Sequence, residues 1–100
     1  MNRTAHSEKF HIGADHPALP GHFPGHPVVP GVVLLDRVAA AIERTWGQRI
    51  GGFPQAKFQR PLLPDQLVEL FIERDATGAR FRFVSAAGII ASGAIELGTP

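Results

Sequence analysis

The spacing of hydrophobic residues predicts one long helix in the first half of the chain. Between residues 31 and 45, apolar side chains cover most of a helical circumference. The remaining arc of roughly 120° holds the charged residues Asp36, Arg37, Glu43 and Arg44. Proline favours the first turn of a helix and glycine favours the end, so Pro30-Gly31 and Gly47 mark the two ends. A helix this apolar is expected to be enclosed by the rest of the protein.

Beyond Gly47 the hydrophobic period changes from 3.6 to 2, which predicts strands. The predicted strands span residues 50–60, 67–74, 80–85 and 89–97, and short turns at 76–78 and 86–88 join the last three. A weaker alternation at 8–14 predicts an opening strand. In the fourth predicted strand of this series, five residues are expected on one face: Ile89, Ala91, Gly93, Ile95 and Leu97.

One apolar helix followed by an antiparallel meander indicates an α+β fold in which the sheet curls around the helix. The chain has 100 residues, the size of one domain. Residues 15–30 are predicted to form a loop, because five of the nine prolines fall there. An unpaired edge on a sheet of four or five strands invites association with another chain.

Composition excludes several classes of function. The net charge is +1 and there is no block of Lys or Arg, so nucleic acid is not expected as a partner. The chain has no cysteine, which excludes disulfides and thiolate chemistry. No apolar stretch approaches the ~20 residues of a membrane span, and the N-terminus lacks a signal-peptide pattern. We therefore expect a cytoplasmic protein that does not enter a membrane.

The candidate chemistry lies in the proline-rich loop and the helix that follows it. His22 stands among prolines, which fix φ, and glycines, which permit otherwise strained backbone angles, and Asp36 is the first acid of the helix. A base near a helix N-terminus together with an acid can perform proton transfer. From the residues alone, His22 could instead stabilise the loop. Asp36 could instead be solvated, or pair with Arg37 or Arg44.

Two segments carry a resemblance to a known family. Residues 22–36 match the pattern His-Phe-Pro-Gly-x-Pro-x-x-Pro-Gly, which is followed after four further residues by an acid. Residues 56–65 match the pattern Ala-Lys-Phe-x-x-Pro-x-x-Pro-Gly-Asp, except that the glycine before the final Asp is missing. The chain thereby resembles the hotdog-fold 3-hydroxyacyl-ACP dehydratases of fatty-acid and polyene synthesis, especially the compact aryl-polyene type. The resemblance covers about residues 8–97 and implies a single hotdog domain over 1–100.

The resemblance implies loss of water from a 3-hydroxyacyl thioester to give a trans-2-enoyl thioester. It assigns His22 as the base and Asp36, acting from the partner subunit, as the acid. It assigns the Gly31 N–H to the thioester carbonyl and the Val28 carbonyl to the second ring nitrogen of His22. Substrate contacts are expected from Phe23, Pro30 and Phe58, and no metal or organic cofactor is implied.

The same resemblance implies partners. An acyl carrier protein would deliver the substrate, and its acidic helix could be met by Lys57, Arg60 or Arg49, although solvated strand charges explain these residues equally well. Hotdog domains pair their sheets edge to edge, so a homodimer or a larger assembly of dimers is expected.

Some features depart from the family or compete with this interpretation. The acid is Asp rather than Glu, as in relatives that also isomerise the double bond, and Pro64-Asp65 lacks the intervening glycine, so the turn there is expected to differ. The histidines at 16, 22 and 26 match no regular zinc spacing. Two rival functions remain, a hotdog acyl thioesterase and a non-catalytic acyl-binding or partner subunit.

Overall fold

The computed structural model describes residues 4–13, 15–16, 28–76 and 78–98. Within these residues one helix packs against a five-stranded antiparallel sheet. The elements are β1 (Ala5–Phe10), α1 (Gly31–Trp46), β2 (Ile50–Phe58), β3 (Val68–Arg74), β4 (Ala79–Ser85) and β5 (Gly88–Leu97). No helix in these ranges combines the length and the hydropathy needed to cross a bilayer.

The strand order in the sheet is β1-β3-β4-β5-β2, with every neighbouring pair antiparallel. The β3-β4-β5 meander agrees with the alternation in the sequence. β2 does not pair with β3, the next strand along the chain, but crosses to β5. The two edges of the sheet are therefore β1 and β2. The α+β arrangement predicted from the sequence is confirmed.

The helix ends lie where the sequence predicts them. Pro30 is extended, with φ −61° and ψ 144°, and the helix begins at Gly31. At the other end Gly47 adopts a left-handed conformation with φ 66°, and its N–H donates to the Glu43 carbonyl at 2.8 Å. The last helical residue is Trp46, directly before the predicted stop at Gly47.

The expectation that α1 is fully enclosed is wrong for a single chain. The sheet covers one face of the helix, where the buried residues are Leu34, Val38, Ala41 and Ile42. The opposite face remains open: Val32 is 61% exposed, and Ala40 is exposed as well. The apolar pattern around the whole helix therefore exceeds what one sheet can cover.

Phenylalanine rings fill the centre of the core between α1 and the sheet. Phe81 and Phe83 on β4 are buried, whereas Arg80 and Arg82 between them are exposed, as the alternation predicts. Phe83 meets Phe81 and Phe10 edge to face, with ring centroids 5.8 and 5.9 Å apart. Burial of each such side chain contributes about 1.5–3 kcal/mol to stability.

A β-bulge in β5 overturns one predicted position. Phe83 pairs with Ala91, but the next residue of β4, Val84, pairs with Ile89, which leaves Ile90 as the additional residue. Ile90 is 1% exposed and Ile89 is 41% exposed. The prediction that Ile89 shares the inner face with Ala91 is therefore wrong, because the bulge breaks the period of two.

Two further boundaries differ from prediction. The opening strand spans Ala5–Phe10 rather than 8–14, because its inward-facing positions His6 and Glu8 are polar and give no apolar signal. β2 ends at Phe58 rather than at 60. Its pairing with β5 shifts register on both sides of Gly52.

The turn that lacks the family's glycine is made by Asp65. This residue has φ 64°, in the left-handed region that glycine normally occupies, and Asp tolerates that conformation better than most side chains. The Asp65 N–H donates to the Ile12 carbonyl at 2.8 Å. This hydrogen bond ties the segment before β3 to the end of β1 without a glycine.

Candidate functional site

A cavity of ≈ 400 Å³ lies at the start of α1. One side consists of residues 28–31, which lead into the helix, together with Leu34. The other side consists of residues 58–62, which lead out of β2. A hydrogen bond of 2.8 Å from the Val29 N–H to the Leu62 carbonyl joins the two sides. Two segments distant in sequence thus form one site.

The helix start gives this cavity a polar end. First-turn N–H groups have no partner within a helix, and the helix dipole adds partial positive charge there. The Val33 N–H turns back to the Pro30 carbonyl at 3.0 Å, and no side-chain cap or first-turn acid is present in the described residues. The amide end can therefore stabilise a carbonyl oxygen that gains negative charge.

The ring of Phe58 packs directly against Gly31. A Cβ built on Gly31 would lie 2.8 Å from Cζ and 2.9 Å from Cε1 of this ring, closer than carbon atoms tolerate. Phe58 is nevertheless 49% exposed, so its other side faces the open cavity. A side chain at 31 would therefore displace the Phe58 ring, which supplies an apolar surface beside the helix start.

Asp36 does not line this cavity. It lies five residues along α1 from Gly31, a rise of about 7.5 Å, and its side chain is exposed on the face turned away from the sheet. Val32 and Ala40, one turn before and one turn after, are exposed on the same face. Within one chain, Asp36 is therefore surrounded by open apolar surface rather than by the site at the helix start.

Glu8 on β1 takes the arginines that could have paired with Asp36. Its carboxylate accepts from Arg44 Nη2 at 2.6 Å and lies 3.4 Å from Arg37 Nε. The Arg37 guanidinium also stacks on Phe10, 4.1 Å from the ring centroid. Asp36 makes no ion pair with any described residue. Arg37 and Arg44 therefore pair with Glu8 and not with Asp36.

The pKa of Glu8 is lowered from its ordinary value. Partial burial acts to raise this pKa, but the hydrogen bond with His6 and the charges of Arg44 and Arg37 outweigh it. His6 Nε2 lies 2.8 Å from Glu8 Oε1, and its ring meets Trp46 edge to face. This cluster was not predicted from the sequence. Its only local signal is the pair of polar residues at alternate positions of the opening strand.

The structure brings four of the predicted site residues together at the cavity: Val28, Pro30, Gly31 and Phe58. It puts Asp36 elsewhere on the same helix. His22 and Phe23 lie outside the described residues, as does His26 of the histidine set considered for zinc. Among the described residues, no group of three or more His, Asp or Glu side chains is arranged to hold a metal ion.

Known proteins resemble this chain in sequence. It matches the ApeI-like family, described as ApeI dehydratase, over residues 2–94. It is 36% identical over 72 residues to a 3-hydroxyacyl-[acyl-carrier-protein] dehydratase FabZ of Mannheimia succiniciproducens, covering 62% of this chain and 48% of the relative. The FabZ of Klebsiella pneumoniae is 32% identical over 88 residues, which cover 74% of this chain and 58% of that relative. The chain spans about half the length of these curated relatives.

Solved structures resemble it in fold. The dehydratase heterocomplex ApeI:P from Xenorhabdus doucetiae superimposes with a TM-score of 0.89 at 24% identity, over 98% of this chain and 90% of that one. An uncharacterized protein from Erwinia carotovora subsp. atroseptica gives a TM-score of 0.84 at 26% identity, over 94% of this chain and 82% of that one. The hotdog fold implied by the resemblance is thereby confirmed. Because the family match extends over nearly the whole chain, the protein belongs to the ApeI-like family.

Proposed function

We propose that this chain, as one hotdog domain in the cytoplasm, dehydrates a 3-hydroxyacyl thioester to a trans-2-enoyl thioester. The observation that carries the proposal is the cavity at the start of α1, which is lined by both the first helical residue, Gly31, and Phe58. Membership of the ApeI-like family and similarity to FabZ dehydratases support the same chemistry. The substrate would be carried by an acyl carrier protein, as the names of the FabZ relatives state for those enzymes.

In the proposed reaction a ring nitrogen of His22 takes a proton from C2 of the substrate. The electron pair of that C–H bond forms the C2=C3 double bond. The C3–O bond breaks, and Asp36 gives its proton to the leaving hydroxyl, so that water is released. Negative charge grows on the thioester oxygen during this step, and the Gly31 N–H at the helix start would stabilise it. The Val28 carbonyl would fix the His22 tautomer.

The proposed site needs two chains. Asp36 faces away from the cavity of its own chain and is surrounded by exposed Val32 and Ala40, a surface suited to a second helix. We infer a homodimer, or an assembly of dimers, in which Asp36 of one subunit acts in the cavity of the other. A similar structure is described as a dehydratase heterocomplex, so a second kind of hotdog chain is the alternative partner.

The acyl chain would contact the apolar part of the cavity. Phe58 and Pro30 line it in the described residues, and Phe23 of the preceding loop is proposed to join them. The chemistry requires only proton transfers between side chains and substrate, so no metal ion or organic cofactor enters the proposed mechanism.

The test is the appearance of enoyl-thioester absorbance when the purified protein meets a 3-hydroxyacyl carrier-protein substrate. We expect turnover by the wild type and almost none by His22→Ala or Asp36→Asn. Matched controls are His11→Ala, which removes an exposed histidine outside the site, and Glu43→Gln, which neutralises another exposed acid of α1. Full activity in a folded His22→Ala variant would refute the mechanism.

The same assay separates the rival functions. Release of free thiol from an acyl thioester, without an enoyl signal, would identify a thioesterase. Absence of any product with several acyl chain lengths, together with a monomeric state of the purified chain, would indicate a non-catalytic partner subunit.

A further inference from the structure

The peptide unit between Val28 and Val29 is held by a hydrogen bond to Leu62. The Val29 N–H donates to the Leu62 carbonyl at 2.8 Å. No peptide bond among the described residues is cis, and the N–H and C=O of a planar trans unit point in opposite directions. The hydrogen bond to Leu62 therefore fixes the direction of the Val28 carbonyl, the group proposed to accept from His22.

The same hydrogen bond makes the Val28 carbonyl a stronger acceptor. Hydrogen bonds that follow one another in a chain polarise each other, so donation by the N–H of a peptide unit increases the negative charge on its carbonyl oxygen. Val29 and Leu62 are both buried, which keeps solvent from weakening the interaction. The Leu62 carbonyl thus affects both the direction and the strength of the next hydrogen bond.

Residues 61–66, which we call the supporting segment, hold the Leu62 carbonyl in place. Proline at the first and fourth positions of the segment fixes φ there. The Gln66 N–H donates to the Leu63 carbonyl, and the Leu63 N–H donates to Gln66 Oε1, both at 3.3 Å. The Leu62 side chain is 1% exposed, so it anchors the segment in the core.

Asp65 attaches the supporting segment to a second point of the chain. Its N–H donates to the Ile12 carbonyl at 2.8 Å. In the sequence Ile12 precedes and Val29 follows the proline-rich stretch that contains His22. The four residues from Leu62 to Asp65 therefore join the chain before this stretch to the chain after it. Because Asp65 is exposed and has φ 64°, its backbone conformation rather than side-chain packing makes this connection.

We propose that the supporting segment positions His22 for proton abstraction by fixing the Val28 carbonyl through Leu62; this inference rests on the proposed function, in which His22 is the base. Leu62 and Asp65 are positioning residues that act through their backbone groups. A base that is displaced from the C2 hydrogen transfers the proton more slowly, because the reaction needs a close and aligned approach. This role accounts for the second half of the motif at 56–65, which the proposed mechanism does not otherwise use.

The experiment changes the backbone preference at position 65. Valine is β-branched and disfavours the left-handed conformation, whereas glycine adopts it freely. For Asp65→Val we expect kcat for the 3-hydroxyacyl thioester to fall about tenfold, with KM changed less than about twofold. Asp65→Gly should keep the wild-type kcat. Gln66→Ala, which removes the side-chain acceptor for the Leu63 N–H, should give a smaller fall in kcat.

Ile72→Val is the matched control for a general loss of stability. Ile72 is buried on β3 and does not line the cavity at the helix start. Its truncation should lower the thermal midpoint and leave kcat unchanged. An equal fall of kcat in Ile72→Val and Asp65→Val would overturn the proposal, because the loss of stability would then explain both. A fall in Asp65→Gly as large as that in Asp65→Val would also overturn it.

The NMR signal of the His22 ring tests the positioning without turnover. The signal is identified by its absence from the spectrum of His22→Gln. We expect Asp65→Val to shift it, and Asp65→Gly and Ile72→Val to leave it at the wild-type position. A shift in a wild-type background that shows no dehydration would support the positioning and refute the proposed function, so the two proposals can fail separately. An unchanged His22 signal in folded Asp65→Val would overturn the positioning, as would an unchanged kcat where the wild type is active.

Discussion

The aromatic ring of Phe58 lies directly against the backbone of Gly31, at the point where β2 meets the start of α1. A side chain at 31 would begin 2.8 Å from Phe58 Cζ, so any residue other than glycine there would displace this half-exposed ring. The contact leaves an apolar ring beside the amide end of the helix, the combination that a thioester with an acyl chain requires.

The Gly31→Ala variant tests this relationship. Insertion of a methyl group against a packed ring costs about 1–3 kcal/mol or forces the ring to move. We expect Phe58 to shift into the cavity and kcat/KM for the 3-hydroxyacyl thioester to fall at least about tenfold. Alanine is a better helix former than glycine, so the thermal midpoint should change little.

The double variant Gly31→Ala/Phe58→Leu supplies the control. The smaller side chain at 58 removes the clash, so part of the lost activity should return if the ring is the cause. If Gly31→Ala alone retains wild-type kinetics, the close approach has no bearing on catalysis.

A shared site between two subunits predicts complementation between inactive variants. His22→Ala and Asp36→Asn should each lose a factor of about 10²–10⁴ in kcat. After the two are unfolded and refolded together, half of the dimers carry one chain of each kind, and each mixed dimer holds one intact site. Activity should therefore recover to about one quarter of the wild-type value. Recovery would be absent if each site took both residues from one chain.

The elements that the sequence predicted well have strong local signals. The helix start at Pro30-Gly31 and the αL stop at Gly47 depend on backbone preferences of single residues. The strand with Phe81 and Phe83 depends on a plain alternation. Each of these features is determined by neighbours within a few positions, which is the range over which a pattern in one sequence can be read.

The features that the sequence did not reveal depend on distant residues. Glu8 meets Arg37 and Arg44, which are 29 and 36 positions away, so its inward position in β1 carries no local signal. The bulge at Ile90 reverses the face of Ile89 through pairing with β4. The same holds for the candidate site. The motif was enough to predict Pro30 and Gly31 as site residues, whereas the packing of Phe58 on Gly31 is visible only in the folded chain.

The Glu8 cluster predicts a specific pH dependence of stability. Because the folded-state pKa of Glu8 is lowered, its ionised form favours the folded state, and this contribution is fully present above the ordinary pKa of 4.5. It is lost as the pH falls from about that value through the lower folded-state pKa. Glu8→Gln should reduce the free energy of unfolding at pH 7 by about 1 kcal/mol.

Urea unfolding at pH 7, 5, 4 and 3 checks this prediction. The difference between wild type and Glu8→Gln should be constant between pH 7 and 5 and should shrink at pH 4 and 3. Glu96→Gln, which neutralises an exposed acid of β5 without an ion pair to any described residue, should differ from wild type by less than about 0.5 kcal/mol. A difference that persists at pH 3 would show that the ion pairs are not its source.

The exposed face of α1 predicts which surface the second subunit covers. Val32 is 61% exposed in one chain and lies one turn before Asp36, so Val32→Glu should leave the fold of the chain intact. In a dimer the same change would bury a carboxylate next to Asp36, with no cation from the Glu8 cluster available to balance it. We expect the dimer to dissociate and dehydration to be lost with it, as measured by light scattering after size exclusion and by the enoyl assay.

Ile89→Glu, at an exposed apolar position on β5, should keep both the assembly and the activity. A Val32→Glu protein that remains dimeric would place the interface elsewhere, and the apolar circumference of α1 would then need a different partner to explain it.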